Sequence, residues 1–252
     1  MKSARQRIDV LLCERGLAES REKAKALLLA GAVRVNGQRV DKAGAAVALD
    51  AAIEVEQALP YVSRGGWKLA AALDHWRINP AGWTCADIGA STGGFTDVLL
   101  QRGAARVHAV DVGEGQIHWR LRTDPRVVLH ERTNARFLQP ETLGERVRLA
   151  VCDVSFISVT LILPALMPLL ELPRRLIVLV KPQFEAGRGQ VGRGGVVRDP
   201  AVHREAVDRV RRLVESFRME AGVIESPISG AEGNKEFLLY GADPDCWHHL
   251  EA

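Results

Sequence analysis

At 252 residues the chain is long enough for one α/β domain plus a small additional module, and 47% hydrophobic with 26% charged residues is the composition of a globular protein with a sizeable core. A formal charge of +3 permits an acidic partner without demanding one. Cys13, Cys85, Cys152 and Cys246 are widely scattered with no Cys-x-x-Cys spacing, so free buried thiols in a reducing compartment are expected, and neither a disulfide framework nor a metal site.

The run Met1 to Arg7 leads into an amphipathic pattern and not an apolar block, so no signal peptide is expected. Residues 1–57 read as a small α+β unit. Ile8, Leu11 and Leu12 lie at helical spacing and Gly16 ends that helix. Ser20 is an N-cap candidate for a second helix, in which Ala24, Leu27 and Leu28 repeat the stripe and Gly31 closes it. Val33 to Val40 reads as a hairpin turning on Asn36-Gly37, and Ala52 to Val55 as a later strand. Ten basic residues against five acidic ones precede Ala43. Arg5, Arg7, Arg15, Arg21, Lys25 and Arg34 are the candidates for a phosphate-contacting face, the plainer reading being a solvated helix surface. The pattern Arg7-Ile8-Asp9, Gly16, Ser20-Arg21, Ala24, Gly31, Val33-x-Val35-Asn36-Gly37 is more specific than charge. It resembles the S-four-type RNA-binding module of ribosomal and RNA-modifying proteins, which implies contact with structured RNA through shape and phosphates.

Residues 58–62 read as a linker, with Pro60 discouraging helix at its preceding residue. Residues 63–252 then alternate strand and helix patterns. Strands are expected at Trp83–Ile88, Arg106–Val110, Val127–Leu129, Val147–Cys152, Leu176–Val180, Met219–Ile224 and Glu236–Tyr240. Helices are expected at Lys68–His75, Gly94–Arg102, Ser158–Leu170 and Val202–Phe217. The order predicts an α/β fold, a doubly wound, Rossmann-like, mostly parallel sheet covered by helices. The longest apolar stretch, Ile157 to Leu170, carries Pro164 and Pro168 and is too short to span a hydrocarbon core of ~30 Å, so no membrane partner and a cytoplasmic location are expected. The glycine-rich, basic segment Gly187–Gly195 reads either as a mobile lid over RNA or as a disordered insertion.

Asp87-Ile88-Gly89-Ala90-Ser91-Thr92-Gly93-Gly94-Phe95 joins a strand to a helix and predicts a cofactor-cradling corner. A dinucleotide loop would carry Gly-x-Gly-x-x-Gly, but Ser91 stands where the second glycine belongs. Asp87, two positions before Gly89, suits a cofactor with an amine-bearing end, and Asp111 at the end of the next strand is placed for a ribose diol. The loop therefore points to S-adenosylmethionine, with Asp87, Gly89, Ser91, Thr92, Gly93, Gly94 and Asp111 as its candidate contacts. Phe95 reads equally as a packing residue.

Asp153 and Lys181 end two further strands, where ligands of such sheets bind. Each alone reads as well as a cap or a solvated strand end. With Lys68 and Glu236 they give the order Lys, Asp, Lys, Glu, the arrangement of ribose 2′-O-methyltransferases resembling FtsJ. From Arg5 to about Tyr240 the chain resembles the TlyA-type, haemolysin-like rRNA methyltransferases. The matching runs are Ser63-Arg64-Gly65, Gly89 to Thr96, Asp111-Val112-Gly113, Asp124 to Val128, Glu131 to Arg136, Asp153-x-Ser155-Phe156-Ile157-Ser158, Lys181 to Glu185, and Gly192-x-Gly194-Gly195-Val196-Val197.

The resemblance implies methylation of a cytidine 2′-hydroxyl in ribosomal RNA or ribosomal subunits. It implies that Lys181 lies closest to that hydroxyl, as base or as stabiliser of the alkoxide, with Lys68 as a second cation beside it. Asp153 then holds the amine in line, and Glu236 pairs with Lys68 or the substrate. Thr133 and Asn134 are expected near the adenine. Gly66-Trp67 departs from the Ala-His that relatives often carry, which touches local packing only. Longer relatives continue past the counterpart of Tyr240 with a further helix, which weakens the case for both ribosomal subunits as substrates. The rival readings are a pore-forming haemolysin, a pseudouridine synthase, a non-catalytic assembly factor and a nicotinamide dehydrogenase. They are disfavoured, respectively, by the lack of an amphipathic or spanning segment, the Gly93-Gly94 loop with Asp111, the intact Lys, Asp, Lys, Glu set, and Ser91.

Overall fold

A computed structural model describes residues 4–29, 31–55 and 60–247, and the chain divides into two compact units, Met1–Pro60 and Tyr61–Ala252. The first unit runs β1 (Arg5–Arg7), α1 (Ile8–Glu14), α2 (Arg21–Leu29), β2 (Val33–Val35), β3 (Gln38–Arg39), β4 (Ala46–Ala48) and β5 (Ile53–Val55). Ile8, Leu11 and Leu12 of α1 and Ala24 and Leu28 of α2 are buried together with Val33 and Val47, as their spacing predicts. Ser20 Oγ accepts the Lys23 amide at 3.2 Å and so satisfies one of the donors that a helix start leaves orphaned. Asn36 (φ 50°) and Gly37 (φ 78°) are both left-handed, as a two-residue type I′ turn needs, and they set Val35 opposite Gln38. β1 and β4 escape the sequence reading. They pair only with each other, Arg5 opposite Ala48, and three residues carry too little alternation to be seen.

The described basic residues of this unit are exposed, yet most are also bonded within it. Asp9 is 0% exposed, and Arg7 and Arg21 donate to its carboxylate at 3.0 and 3.1 Å. The Arg7 hydrogen bond above all, against the opposing effect of burial, holds Asp9 well below the usual carboxylate range. Arg15 donates to the Leu49 and Ala51 carbonyls, Arg5 to Ala46 and Arg34 to Gly37. Lys25 lies exposed on α2. Replacing both Arg7 and Arg21 by alanine would strand a buried carboxylate, and is expected to cost the first unit about 3 kcal/mol at neutral pH. Protonation of Asp9 would remove that penalty, so the variant should recover stability as the pH falls. The wild type, whose Asp9 is held ionised by its partners, should lose stability below about pH 4. Urea denaturation across that range checks both signs.

The second unit runs α3 (Gly65–His75), β6 (Thr84–Ile88), α4 (Gly94–Gln101), β7 (Arg106–Val110), α5 (Trp119–Arg122), β8 (Val127–His130), α6 (Pro140–Leu143), β9 (Leu149–Cys152), α7 (Leu163–Leu166), β10 (Arg175–Val180), α8 (Pro182–Glu185), α9 (Pro200–Ser216), β11 (Glu220–Glu225) and β12 (Phe237–Ala242). Its sheet has the order β11-β12-β10-β9-β6-β7-β8. β8, β7, β6, β9 and β10 are parallel, and β12 runs antiparallel to both its neighbours. Both faces are covered, so the central strands β6, β9 and β10 are buried along nearly their whole length and alternate between two layers. On β10, Ile177 and Leu179 join the core under α3 and α4, while Leu176, Val178 and Val180 join the core under α7 and α9. Strand order reverses at β6, whose neighbours β7 and β9 lie on opposite sides, and a crevice opens where the chains leaving those strands part.

Three local expectations change. The single helix expected over Ser158–Leu170 is broken into α7 flanked by 3₁₀ turns at Val159–Leu161 and Met167–Leu169, because Pro164 and Pro168 can each sit only near the start of a helical turn. Gly187–Gly195 forms two 3₁₀ turns, and Asn234 ties it down by donating to the Gly195 carbonyl and accepting the Val197 amide, both at 3.0 Å. Of the expected linker, Ala58 and Leu59 lie outside the described residues, whereas Tyr61 and Val62 pack against the core of the second unit. The four cysteines are free thiols, and three are buried. Among the described residues no helix is long and apolar enough to cross a membrane and no side-chain group could hold a metal ion.

Candidate active site

The loop after β6 is built by close backbone approach. Gly89 (φ 83°) lies against the chain leaving β9, where a Cβ would overlap the Asp153 carbonyl oxygen. A Cβ at Gly94 would meet Ser63 Oγ and the Gly66 amide at the start of α3. These two glycines therefore admit neighbouring chain, and not only a ligand. Ser91 (φ 49°) and Gly93 (φ 93°) turn the loop into α4.

Carboxylates hold the loop and line its crevice. Asp111, at the end of β7, accepts the Ser91 amide on one oxygen and the Gly113 amide on the other, each at 2.7 Å. Asp87 is fully buried. Thr96 donates to its Oδ2 at 2.7 Å, while Oδ1 has no partner. Burial pushes Asp87 up to about 7, with the Asp153 and Asp111 charges adding to the rise and the Thr96 bond opposing it.

Two cavities share walls at Gly89, Ser91, Asp153 and Ser155. One, of about 350 Å³, is lined by Lys68, Asp87, Thr92, Gly94 and Lys181. The other, of about 460 Å³, is lined by Asp111, Thr133 and Asn134. Of the residues expected from the sequence, Gly93 lines neither, being packed against Leu121 and Ile117. Glu236 lines neither and reaches the first cavity through Lys68.

Two ion pairs flank the first cavity. Lys181 Nζ lies 2.6 Å from Asp153 Oδ1, an ion pair without aligned hydrogen-bond geometry, and donates to Ser155 Oγ at 2.8 Å. Lys68 Nζ donates to Glu236 Oε2 at 2.5 Å, with both residues buried. Glu236 stands one residue before β12, and its carboxylate fills the space that a Cβ at Gly230 would take. The two lysines are thus each matched to one carboxylate, so Lys68 is a neutralised neighbour and not a bare cation beside Lys181. At Gly66 a Cβ would overlap the Tyr61 ring, which gives the departure from alanine a packing cause.

Sequence reasoning missed several residues here. Ser155 stood in a matched run but carried no charge to mark it. Gln116 and Phe156 line the second cavity, and Phe156 is 92% exposed at φ 65°. Glu185 is buried and joins two loops, accepting Ser158 Oγ at 2.5 Å and the Val159 amide at 2.8 Å. In the sequence it only closed the matched run Lys181 to Glu185 with no role of its own, since only the fold brings Ser158 to it.

Residues 61–242 match the model of the FtsJ-like methyltransferases and residues 6–53 that of the S4 domain. The fold is that of a methyltransferase, and the chain belongs to the FtsJ-like family, in its S4-bearing TlyA group. It is 49% identical to the 16S/23S rRNA (cytidine-2′-O)-methyltransferase TlyA of Mycobacterium tuberculosis over 94% of this chain and 89% of that one. It is 41% identical to Hemolysin A of Brachyspira hyodysenteriae over 93% and 98% of the two chains. A hemolysin-named protein of Streptococcus thermophilus, 43% identical, superposes with a TM-score of 0.74 over 96% of this chain and 89% of that one.

Because Lys68 and Glu236 are buried as a pair, removing one strands the other. Lys68→Ala is expected to destabilise the second unit by about 3 kcal/mol. A Lys68→Met/Glu236→Leu double variant is expected to regain most of that loss, since no uncompensated charge remains. Chemical denaturation of the three proteins checks the order.

Proposed function

We propose that this methyltransferase transfers a methyl group from S-adenosylmethionine to the ribose 2′-oxygen of a cytidine in ribosomal RNA. The single observation that carries the reading is the pairing of Lys181 with Asp153 and of Lys68 with Glu236 beside the buried, half-partnered carboxylate of Asp87. Relatives named as rRNA (cytidine-2′-O)-methyltransferases support the ribose hydroxyl, the cytidine and the ribosomal RNA. The matched S4 domain supports an RNA-binding first unit, with Arg5, Arg7, Arg15, Arg21, Lys25 and Arg34 as candidates for phosphate contact. An rRNA substrate implies action in the cytoplasm. A non-catalytic or membrane-active role is not favoured, since neither calls for two ion pairs, one of them buried, at a crevice.

The residues fit the cofactor. A buried carboxylate oxygen with no donor, Asp87 Oδ1, suits an ammonium group. Each oxygen of Asp111 has one lone-pair direction in use and another to offer a ribose hydroxyl. Gly89, Ser91, Thr92, Gly93 and Gly94 shape the loop between them, and Thr133 and Asn134 would face the base. When bound, the cofactor supplies a methyl group on a positively charged sulfur. A ribose hydroxyl is a poor nucleophile at neutral pH and needs a positioned polar neighbour. Asp153 and Ser155 occupy two sides of Lys181 Nζ, which leaves the amine one further direction for the 2′-oxygen. From there it orients that oxygen and stabilises the negative charge that grows on it as the hydroxyl proton passes to solvent water.

Lys181→Ala is expected to lower methyl transfer by about a hundredfold or more, while S-adenosylmethionine binding measured by calorimetry stays near wild type. A purified variant working at wild-type rate would overturn the assignment of Lys181. Mass spectrometry of rRNA from strains with and without the gene tests the substrate, the expected difference being one missing 2′-O-methylcytidine signal.

Asp87 makes cofactor affinity depend on pH. Only its carboxylate form attracts an ammonium group, so binding should tighten as the pH rises toward about 7 and weaken again above about pH 8, where an α-amino group loses its proton. Asp87→Asn should weaken binding by roughly tenfold or more. The same change should stabilise the ligand-free protein at about pH 8, because an acid held above its unfolded value costs stability once ionised, a cost that vanishes as the pH falls below about 4. Calorimetry and urea denaturation at two pH values separate the two effects.

A further inference from the structure

One face of the short segment 117–122 is buried and the other is bare. Ile117 and Leu121 pack under Gly93, and the His118 amide donates to the Thr92 carbonyl at 3.1 Å. Thr92 lines the same cavity as Lys181, so α5 is anchored to the rim of the crevice. On the opposite face Trp119 is 69% exposed, and its only ring neighbour among the described residues is His118, with centroids 6.0 Å apart and an interplanar angle of 31°. His118 Nδ1 accepts the Arg120 amide at 3.3 Å, so the neutral ring carries its proton on Nε2 and can donate from there. Arg122 and Arg132 are matched to Glu131 and Glu114, but Arg120 is exposed and has no acidic partner among the described residues.

We propose that Trp119, His118 and Arg120 form a stacking site for an unpaired nucleotide of the RNA substrate at the rim of the crevice, an inference that rests on the RNA-methylating function proposed above. An indole face accepts any base by stacking, and an adjacent cation and N–H donor suit the phosphate and the base edge. The packing of Ile117 and Leu121 fixes the platform before RNA arrives, so little ordering entropy is lost on binding. A protein partner would call for a wider apolar surface than one indole flanked by imidazole and guanidinium groups.

The test uses the full-length protein and unmodified ribosomal subunits purified from a strain lacking the gene. Trp119→Ala is expected to weaken subunit binding, and to raise the KM for subunits, by about tenfold. The S-adenosylmethionine Kd and kcat should move little, and Trp119→Phe should restore most of the affinity. Binding by Trp119→Ala equal to wild type would overturn the site, as would a photo-cross-linker at position 119 that captures a ribosomal protein instead of rRNA. If the wild-type protein bound subunits but transferred no methyl group, the proposed activity would fail while the binding comparison still decided the stacking site.

Discussion

Backbone hydrogen bonds at the carboxyl edge of the second unit's sheet hold the whole site in place. The Gly89 and Ala90 amides both donate to the Val110 carbonyl, the Asp153 amide to Ile88 and the Asp111 amide to His130. Each bond continues a strand pairing by one residue, so the chains leaving β6, β7 and β9 stay in register as they turn outward. Parallel strands have their carboxyl ends on one side, and reversal of strand order at β6 parts the loops there. Asp87, Asp111, Asp153 and Lys181 come from four strands, yet they emerge at one crevice for that reason alone.

Gathering carboxylates at one edge carries an electrostatic penalty that the protein offsets in different ways. Asp9, in the first unit, is buried but covered by two arginines, and so stays ionised. Asp111 stands at the surface of its cavity with two backbone amides. Asp153 and Glu236 each face a lysine. Asp87 is met only by Thr96 among the described residues, and burial shifts it up to about 7. An incompletely satisfied buried charge is costly in a resting protein, and it persists where a ligand completes it.

Much of this was legible in the chain. Strand positions read well because both faces of the sheet are covered, so β9 and most of β10 appear as apolar runs followed by a charge, and β6 and β7 as short apolar runs broken once each, by Asp87 and His108. The Asn36-Gly37 turn and the Ser20 cap read from local backbone chemistry. What misled was also physical. Two prolines cut an apolar run that otherwise reads as one helix, and β1 and β4 are too short to show a period. The glycine-rich segment 187–195 carries a single apolar residue, Val191, and is tied down by Asn234, nearly forty residues away, and by the Gln190–Glu205 hydrogen bond.

The sequence by itself determined the order of elements and the strand–glycine loop–helix corner, because these depend on side-chain chemistry and local backbone preference, while the set of four charged residues was expected only from the resemblance to FtsJ-like enzymes. Pairing was a different matter. Whether Glu236 met Lys68 or the substrate, whether Lys68 stood free beside Lys181, and that Ser155 would complete the lysine's surroundings were decided only by tertiary structure. Ion pairs and hydrogen bonds act over a few ångströms, and the partners here lie up to 168 positions apart in the chain. Only the register of β10 with β9 and β12, and the turn at Gly230, bring them within that range.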